Sequence, residues 1–433
     1  MKTIKLNFDI KALDCYLYGG NIYFFMQNGS IMYAPYPRII SRLASNYRED
    51  DFSFLKLAFL RNEFYYSQQG RTFLKIPGMK KVLEWNWNKL AETEFVLAYE
   101  DIEDLLEPLC EWDSIPLDVR IYGMRMYVGC RDGLYEIDIE DRRNKKLERC
   151  FDCKVTCVNA KYGELVVSAD TEGLFAANID MDNETRTKVD ENKPVDGRSV
   201  RTLWADTNLF NYYGKEDFSY FSNEYQSIPP KKDRYWEHRE TKRITQFASS
   251  TQTMESVIEN SGLKKEDIGY CFNSSSNAYV FLKNGTLKVY ALRDKHYKEI
   301  DGWGEIELPK YCRKGNKDSL IDYGKVISAF SIPKGSVMEF FDKVLLLKDG
   351  HSYIIEEEPV IRTRSFMSSN RYQDILSVTK EEMITLHALD TLNVSRTEIS
   401  GKMRNKATLA DVFDAIGLYL PAGDDSDDSD LPF

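Results

Sequence analysis

Three cysteines, four histidines, a few carboxylate pairs and one basic run are the residues of this chain whose types could support chemistry. Cys150, Cys153 and Cys157 stand in a C-x2-C-x3-C spacing. A structural zinc site takes four ligands, commonly from two such pairs, and His238, His296, His351 and His387 are all distant in sequence. The spacing therefore predicts reduced, half-buried thiols. His351 adjoins a turn and reads as a surface histidine. Glu100-Asp101 and Glu103-Asp104 read as the solvated face of an acidic insert, because no partner can be placed for acid–base work. No P-loop, G-x-G-x-x-G, G-x-S-x-G or H-E-x-x-H motif occurs. The expectation is a protein with no enzymatic activity, no cofactor and no metal.

The basic run is Lys231-Lys232-Asp233-Arg234-Tyr235-Trp236-Glu237-His238-Arg239-Glu240-Thr241-Lys242-Arg243. Its cations, interleaved with Tyr235 and Trp236, could grip phosphates and stack a base. Asp233, Glu237 and Glu240 offset that charge locally, so an exposed loop or strand is the plainer reading. Lys231, Lys232, Arg234, Trp236, Arg239, Lys242 and Arg243 are the candidate nucleic-acid contacts. Trp85 and Trp87 lie two apart, on one face if the segment is a strand, and read as packing residues.

These residues need a scaffold, and the turns outline one. Asn28-Gly29, Gln69-Gly70, Asp132-Gly133, Glu172-Gly173, Asn284-Gly285 and Asp349-Gly350 each follow a short apolar run. A glycine there can adopt the positive φ that a tight hairpin needs. A weaker seventh copy runs from Val200 through Gly214 to Tyr220. The seven glycines are spaced by 41, 63, 40, 41, 71 and 65 residues. Units of roughly 40–45 residues are the period of four-stranded propeller blades. The longer intervals predict insertions near 78–116, 222–265 and 292–325. The fold expected over 1–400 is therefore all-β, a seven-bladed β-propeller of no identified repeat family. Ile4, Leu6, Phe8 and Ile10 alternate with polar residues, as an edge strand should. Pairing with Met383–Leu389 would close the ring and remove its bare edge.

Composition agrees with a folded chain. The 433 residues are 42% hydrophobic and 13% aromatic, and 58 Lys and Arg face 69 Asp and Glu for a net charge of -11. That balance excludes a globally basic protein that coats nucleic acid, though a local patch remains open. No apolar run reaches membrane-spanning length, and Met1–Ile10 lacks a signal peptide's apolar region. A soluble, cytoplasmic protein with no membrane partner is expected.

Beyond Lys402 the pattern changes. Thr408-Leu409-Ala410-Asp411 reads as a variant capping box. Leu409, Val412, Phe413 and Ile416 then form one helical stripe that Gly417 can terminate. Residues 401–420 are thus a short amphipathic helix, docked on the propeller or on a partner. Residues 421–433 form a flexible tail that ends Asp424-Asp425-Ser426-Asp427-Asp428-Ser429-Asp430-Leu431-Pro432-Phe433. Its carboxylates repel one another and cannot pack together. A tail that only solubilises has no use for a final Leu-Pro-Phe.

This ending resembles the C-terminal tip of bacterial single-stranded DNA-binding proteins, an acidic run closed by Asp-(Ile/Leu)-Pro-Phe. The resemblance covers about ten residues, without that family's oligonucleotide-binding barrel or its long Gly/Gln-rich linker. It implies a docking peptide for bacterial replication, recombination and repair proteins. Phe433 would enter an apolar pocket, with its α-carboxylate on a basic side chain. Leu431 and Pro432 would flank it, and Asp427, Asp428 and Asp430 would lie along a basic ridge. The implied function is an interaction adaptor that recruits or competes for such a protein, in a phage, plasmid or defence setting. A second protein or ligand would bind the propeller itself. The alternatives are a nucleic-acid-binding propeller using 231–243, with the acidic tail as internal competitor, and a propeller with a catalytic or small-molecule site in its central channel.

Overall fold

A computed structural model describes residues 2–45, 49–112, 114–140, 147–179, 187–189, 193–205, 207–222, 225–228, 240–243, 251–255, 263–274, 277–291, 298–299, 325–348, 351–366, 369, 371–393 and 407–416. The chain is a seven-bladed β-propeller with a short C-terminal helix. Its first strand, β1 (Thr3–Asp9), belongs to the last blade. Blade 1 holds β2 (Ala12–Tyr18), β3 (Asn21–Met26), β4 (Ser30–Pro35) and β6 (Glu107–Glu111), with β5 (Phe95–Ala98) inside an insertion. Blade 2 is β7 (Asp118–Tyr122), β8 (Arg125–Gly129), β9 (Leu134–Asp138) and β10 (Glu148–Phe151). In blade 3, β11 (Cys157–Lys161), β12 (Glu164–Ser168) and β13 (Leu174–Asn178) are extended by a bridge from Leu174 to Val195.

Blade 4 is β14 (Arg201–Ala205), β15 (Asn208–Tyr212), β16 (Phe218–Ser222) and β19 (Thr251–Thr253). Between its last two strands, β17 (Tyr225–Ile228) and β18 (Glu240–Arg243) form a separate two-stranded sheet. Blade 5 is β20 (Ile268–Asn273), β21 (Asn277–Leu282), β22 (Leu287–Ala291) and β23 (Lys298–Glu299). Blade 6 is β24 (Val326–Ile332), β25 (Gly335–Phe340), β26 (Lys343–Lys348) and β27 (His351–Glu356). Blade 7 is β28 (Arg362–Ser365), β29 (Ile375–Thr379), β30 (Met383–Leu389) and β1.

The ring closes as its two ends predict, because Ile4, Leu6 and Phe8 pair with Ala388, Leu386 and Ile384. β1 is not left as an edge, since β5 runs parallel along its other side. Between blades, the two-residue period of each strand feeds two seams at once. In β21, Ala278, Val280 and Leu282 pack toward blade 4, while Tyr279 and Phe281 pack toward blade 6. In β26, Leu345 and Leu347 meet blade 5, and Val344 and Leu346 meet blade 7. Each such side chain contributes about 1.5–3 kcal/mol by leaving water, so the seams hold the ring.

Six of the seven glycine-marked copies lie in blades, and the Gly70 copy does not. Residues 36–105 form a mainly helical insertion between β4 and β6, longer and earlier than the one expected near 78–116. It contains α1 (Tyr36–Ser45), α2 (Glu49–Leu60), α3 (Gln68–Phe73), α4 (Met79–Ala91) and α5 (Tyr99–Ile102). Tyr36, Ile39, Ile40, Leu43 and Ala44 bury one face of α1 at helical spacing. The run before Gln69-Gly70, Glu63–Tyr66, is a 3-10 turn and not a blade strand. Gly70 is required there for closeness, because a Cβ would come within 2.2 Å of the Phe64 carbonyl oxygen. Gly29 is a true turn glycine, with φ +84 and a Cβ position 2.5 Å from Trp112 O. The count of seven stands because the closing blade replaces the false copy. Gly350 belongs one strand later than its counterparts, between the third and fourth strands of blade 6.

Trp85 and Trp87 sit on α4 rather than on a strand, and therefore on different faces. Trp87 is buried and donates from Nε1 to Lys2 O at 3.2 Å, whereas Trp85 is 65% exposed. The acidic pairs have structural partners: Asp101 accepts from the Ala98 backbone, and Asp104 pairs with Arg42. No helix of the described residues is long and apolar enough to cross a membrane.

The C-terminal helix α6 (Leu409–Ile416) has the expected cap. Thr408 N donates to Asp411 Oδ2 at 2.8 Å, and Asp411 N donates to Thr408 Oγ1 at 3.3 Å. It docks on α2 of the insertion rather than on a blade. Val412 is buried there, Leu409 N donates to Gln69 Oε1 at 2.8 Å, and Arg61 reaches Asp411 at 3.3 Å.

Candidate functional site at the ring axis

The innermost strand of every blade begins after a loop that has crossed from the preceding blade's outer strand. Such strands are expected to be apolar, since they sit at the closest approach of the blades. Charges break that rule, singly in β2 and β14 and two apart in β7 and β28. The residues are Asp14, Asp118, Arg120, Arg201, Arg362 and Arg364.

Arg362 and Arg364 reach from blade 7 to blades 1 and 2. Arg362 Nη1 and Arg364 Nη2 both donate to Asp14 Oδ2, at 3.0 and 2.6 Å, and Arg364 Nε donates to Asp14 Oδ1 at 3.2 Å. Their remaining donors meet Pro116 O at 3.1 Å and Val119 O at 3.0 Å. Asp118 lies 3.5 Å from Arg364 and also accepts from Val158 N in blade 3. Burial alone would raise the Asp14 pKa, but the charges of Arg364 and Arg362 outweigh it and hold the carboxyl below its ordinary value. Asp14 is therefore an anion fixed by two guanidinium groups, a structural pairing rather than a proton donor.

Arg201 performs the same crossing from blade 4. It donates to Tyr270 Oη at 2.9 Å and Cys271 O at 2.7 Å in blade 5, and to Ala329 O at 3.1 Å in blade 6. Its guanidinium lies 4.3 Å from the Tyr212 ring centre and 5.3 Å from that of Tyr270. Among the described residues, Arg120 reaches blade 3, with a 3.5 Å contact from Nη2 to Ala160 O. Sequence reading overlooked all four arginines. The signal was present in Arg362-x-Arg364 and Asp118-x-Arg120, where charges two apart share one face of an inner strand.

Loops at the rim of this cluster carry exposed apolar residues. Ile115 and Ile361 lie just before β7 and β28 and are 67% and 47% exposed, and Phe341 is 68% exposed. The Arg362–Pro116 bond and a 2.7 Å bond from Val360 N to Phe341 O bring their loops together.

The other candidates lie elsewhere. Asp427, Asp428, Asp430, Leu431, Pro432 and Phe433 fall outside the described residues, as do Lys231, Lys232, Arg234, Trp236 and Arg239. Lys242 and Arg243 are on β18, paired with Gln226 and Tyr225 of β17. Cys150, Cys153 and Cys157 are partly buried and unbridged. Cys150 Sγ faces Leu134 O at 3.5 Å, and Cys157 Sγ faces Thr202 O at 3.4 Å. Burial, with Asp118 adding to it, pushes the Cys157 thiol pKa up, so it is held protonated. Among the described residues, no three His, Cys, Asp or Glu side chains group as metal ligands.

The site and fold define a propeller whose blades are tied near the axis by arginines. No family model matches the chain, and no curated protein matches it. The solved structures that are similar to the chain include the following three. The computationally designed Ika8 protein is 8% identical over 90% of this chain and 100% of its own, with a TM-score of 0.44. PorZ, a surface component of the type-IX secretion system of Porphyromonas gingivalis, is 6% identical over 87% of this chain and 36% of its own, with a TM-score of 0.42. A chain of the Mitotic Checkpoint Complex is 10% identical over 67% of this chain and 80% of its own, with a TM-score of 0.37. None of the three bears on the chemistry of the site.

Proposed function

We propose that this protein is a non-enzymatic interaction adaptor. Its C-terminal tip docks on, or competes for, bacterial proteins of replication, recombination or repair. The observation that carries this reading is the ending itself, Asp427-Asp428-Ser429-Asp430-Leu431-Pro432-Phe433. An aromatic anchor, a free α-carboxylate and a proline that limits ordering entropy make a compact docking peptide. Its acidic approach speeds encounter with a basic surface. The chain presents this peptide just after a capped helix held on the insertion. Commitment of Asp14 and Asp118 to arginines also favours a scaffold over acid–base catalysis. The exposed Ile115, Phe341 and Ile361 offer the propeller's second contact surface. A phage, plasmid or defence protein fits this design, because a host docking code can be copied in a few residues.

The test is binding of labelled peptide Ala422–Phe433, and of the full chain, to a panel of bacterial tip-binding proteins. Micromolar binding that disappears without Phe433 is expected. Absence of binding across the panel would reduce the tail to a solubilising appendage. A second reading, nucleic-acid binding through Lys231–Arg243, draws support from the β17–β18 sheet, which stands apart from the seven blades and carries Lys242 and Arg243. It requires salt-sensitive binding that strengthens when the tail aspartates are neutralised.

A further inference from the structure

The insertion turns one helical row outward whose charge is opposite to that of the whole chain. On α4, Leu83, Asn86, Trp87 and Leu90 are buried, while Lys81, Val82, Trp85 and Lys89 are exposed. Lys81, Trp85 and Lys89 follow at four-residue steps and so form one row, with Val82 three residues before Trp85. Val82 is 51% exposed, and Lys89 Nζ lies 5.8 Å from the Trp85 ring centre. Glu84 turns to Lys80, 3.7 Å away, and Glu92 at the helix end is held by Lys2 at 2.6 Å. Residues 75–89 hold four lysines and one glutamate in a chain of net charge -11.

An indole left in water between two lysines suits an occupant that is both acidic and apolar. One segment of this chain has that chemistry: residues 424–433 carry five aspartates, no cation and a final Leu431-Pro432-Phe433. It is also tethered nearby. α6 packs on α2, and α2 packs on α4, where Leu57 and Ala58 face Leu83 and Trp87 around a small apolar cavity. Packed helix axes lie about 8–10 Å apart, which puts α6 within roughly 20 Å of α4. Asp424 comes eight residues after Ile416, a reach of up to about 28 Å. Tethering supplies an effective concentration on the order of millimolar, so even weak intrinsic affinity fills such a site.

We propose that the α4 row of Lys81, Val82, Trp85 and Lys89 is an internal dock for the C-terminal tail. Leu431 and Phe433 would lie against Val82 and Trp85, with the aspartates along the lysines. This dock rests on the tail being a docking peptide and adds a brake to it, because an outside partner must displace the tail from α4.

Fluorescence anisotropy of labelled peptide Ala422–Phe433 would use a full-length chain whose own tail is silenced by Asp427→Asn, Asp428→Asn, Asp430→Asn and Phe433→Ala. Saturable binding is expected, weakened tenfold or more by Trp85→Ala and threefold or more by Lys81→Glu. The chain with its native tail should also bind the peptide at least tenfold more weakly, since its dock is occupied. Both α4 substitutions sit at exposed positions and leave folding intact. No saturable binding, or binding unchanged in both α4 variants, would overturn the proposal. A wild-type dimer in sedimentation that Phe433→Ala dissolves would place a second copy's tail on the row and overturn the internal dock. Trp85-dependent binding to phosphatidylglycerol vesicles without peptide binding would make the row a lipid contact instead. The panel of tip-binding proteins separates this dock from the outside function. Trp85→Ala frees the tail, so a panel protein that binds should bind this variant at least threefold tighter than wild type. Silence across the panel with peptide binding intact removes the outside partner alone, whereas equal panel binding to both chains removes the internal dock alone.

Discussion

Blades 7, 1 and 2 are tied by Arg362 and Arg364, and blades 4, 5 and 6 by Arg201, yet the two ties use different electrostatics. In the first, two cations converge on the buried Asp14. In the second, one cation meets a phenol, two backbone carbonyls and two aromatic faces. The difference shows that inter-blade reach and charge neutralisation are separable. Arginine supplies the reach in both places, through a long stem and several donors. Only the first tie is electrically closed, and it is therefore the one that fails badly when a single partner is removed.

The largest expected effect is at Asp14. Asp14→Asn keeps the shape but leaves two largely buried guanidiniums facing a neutral amide, and should cost roughly 3–5 kcal/mol in urea unfolding. Arg201→Met keeps the apolar stem and deletes neutral hydrogen bonds and ring contacts, for a loss of about 2 kcal/mol. Equal losses at the two positions would mean that Asp14 is no more than a hydrogen-bond acceptor, and the comparison would collapse.

Acid should separate the two ties next. The folded pKa of Asp14 lies below its unfolded value, near 3.8. Its contribution is therefore fully present above that value and disappears as pH falls through the folded pKa. Glu356 acts on the same side of the ring. Burial would raise its pKa, but His387, Lys5 and Lys380 outweigh burial and bring it to about 2. Its contribution is lost between an ordinary value near 4.5 and that lower one. No carboxylate among the described residues touches Arg201. Hydrogen exchange below about pH 4, corrected for intrinsic rates, should deprotect β2 and β28 before β14 and β20. Simultaneous loss would show that acid acts on the whole ring at once.

How much of this was legible follows from which physical signals are local. Hairpin glycines at positions such as Gly29 and Gly285 mark blades because their turns use a positive φ. The closing pair was legible because Ile4, Leu6 and Phe8 alternate. Gly70 misled because a glycine needed for close approach and one needed for a turn look alike in sequence. Helix α1 went unread, although its buried residues repeat at helical spacing. The arginines went unnoticed because two-apart charges in an inner strand were not weighed as a pattern, and their partners, Asp14 for Arg364 and Ala329 for Arg201, lie 350 and 128 residues away. The tail is the reverse case, with a strong sequence signal on residues outside those described.

The smallest effect concerns a third tie, at the other end of the chain. Arg61 bridges Glu63, at 3.2 Å, and Asp411, at 3.3 Å, so one cation joins the insertion to α6. Asp411 also closes the cap through Thr408. An eight-residue helix does not persist alone in water, so α6 depends on this cap and on Val412. Asp411→Ala removes the cap and a half-exposed ion pair, for a loss of about 1 kcal/mol. Limited proteolysis should then cut near α6 while the urea midpoint of the ring changes little. That split would show α6 to be a detachable link between the propeller and the C-terminal residues. A fall in the whole ring's midpoint as large as that of Asp14→Asn would instead make α6 part of the ring's own closure.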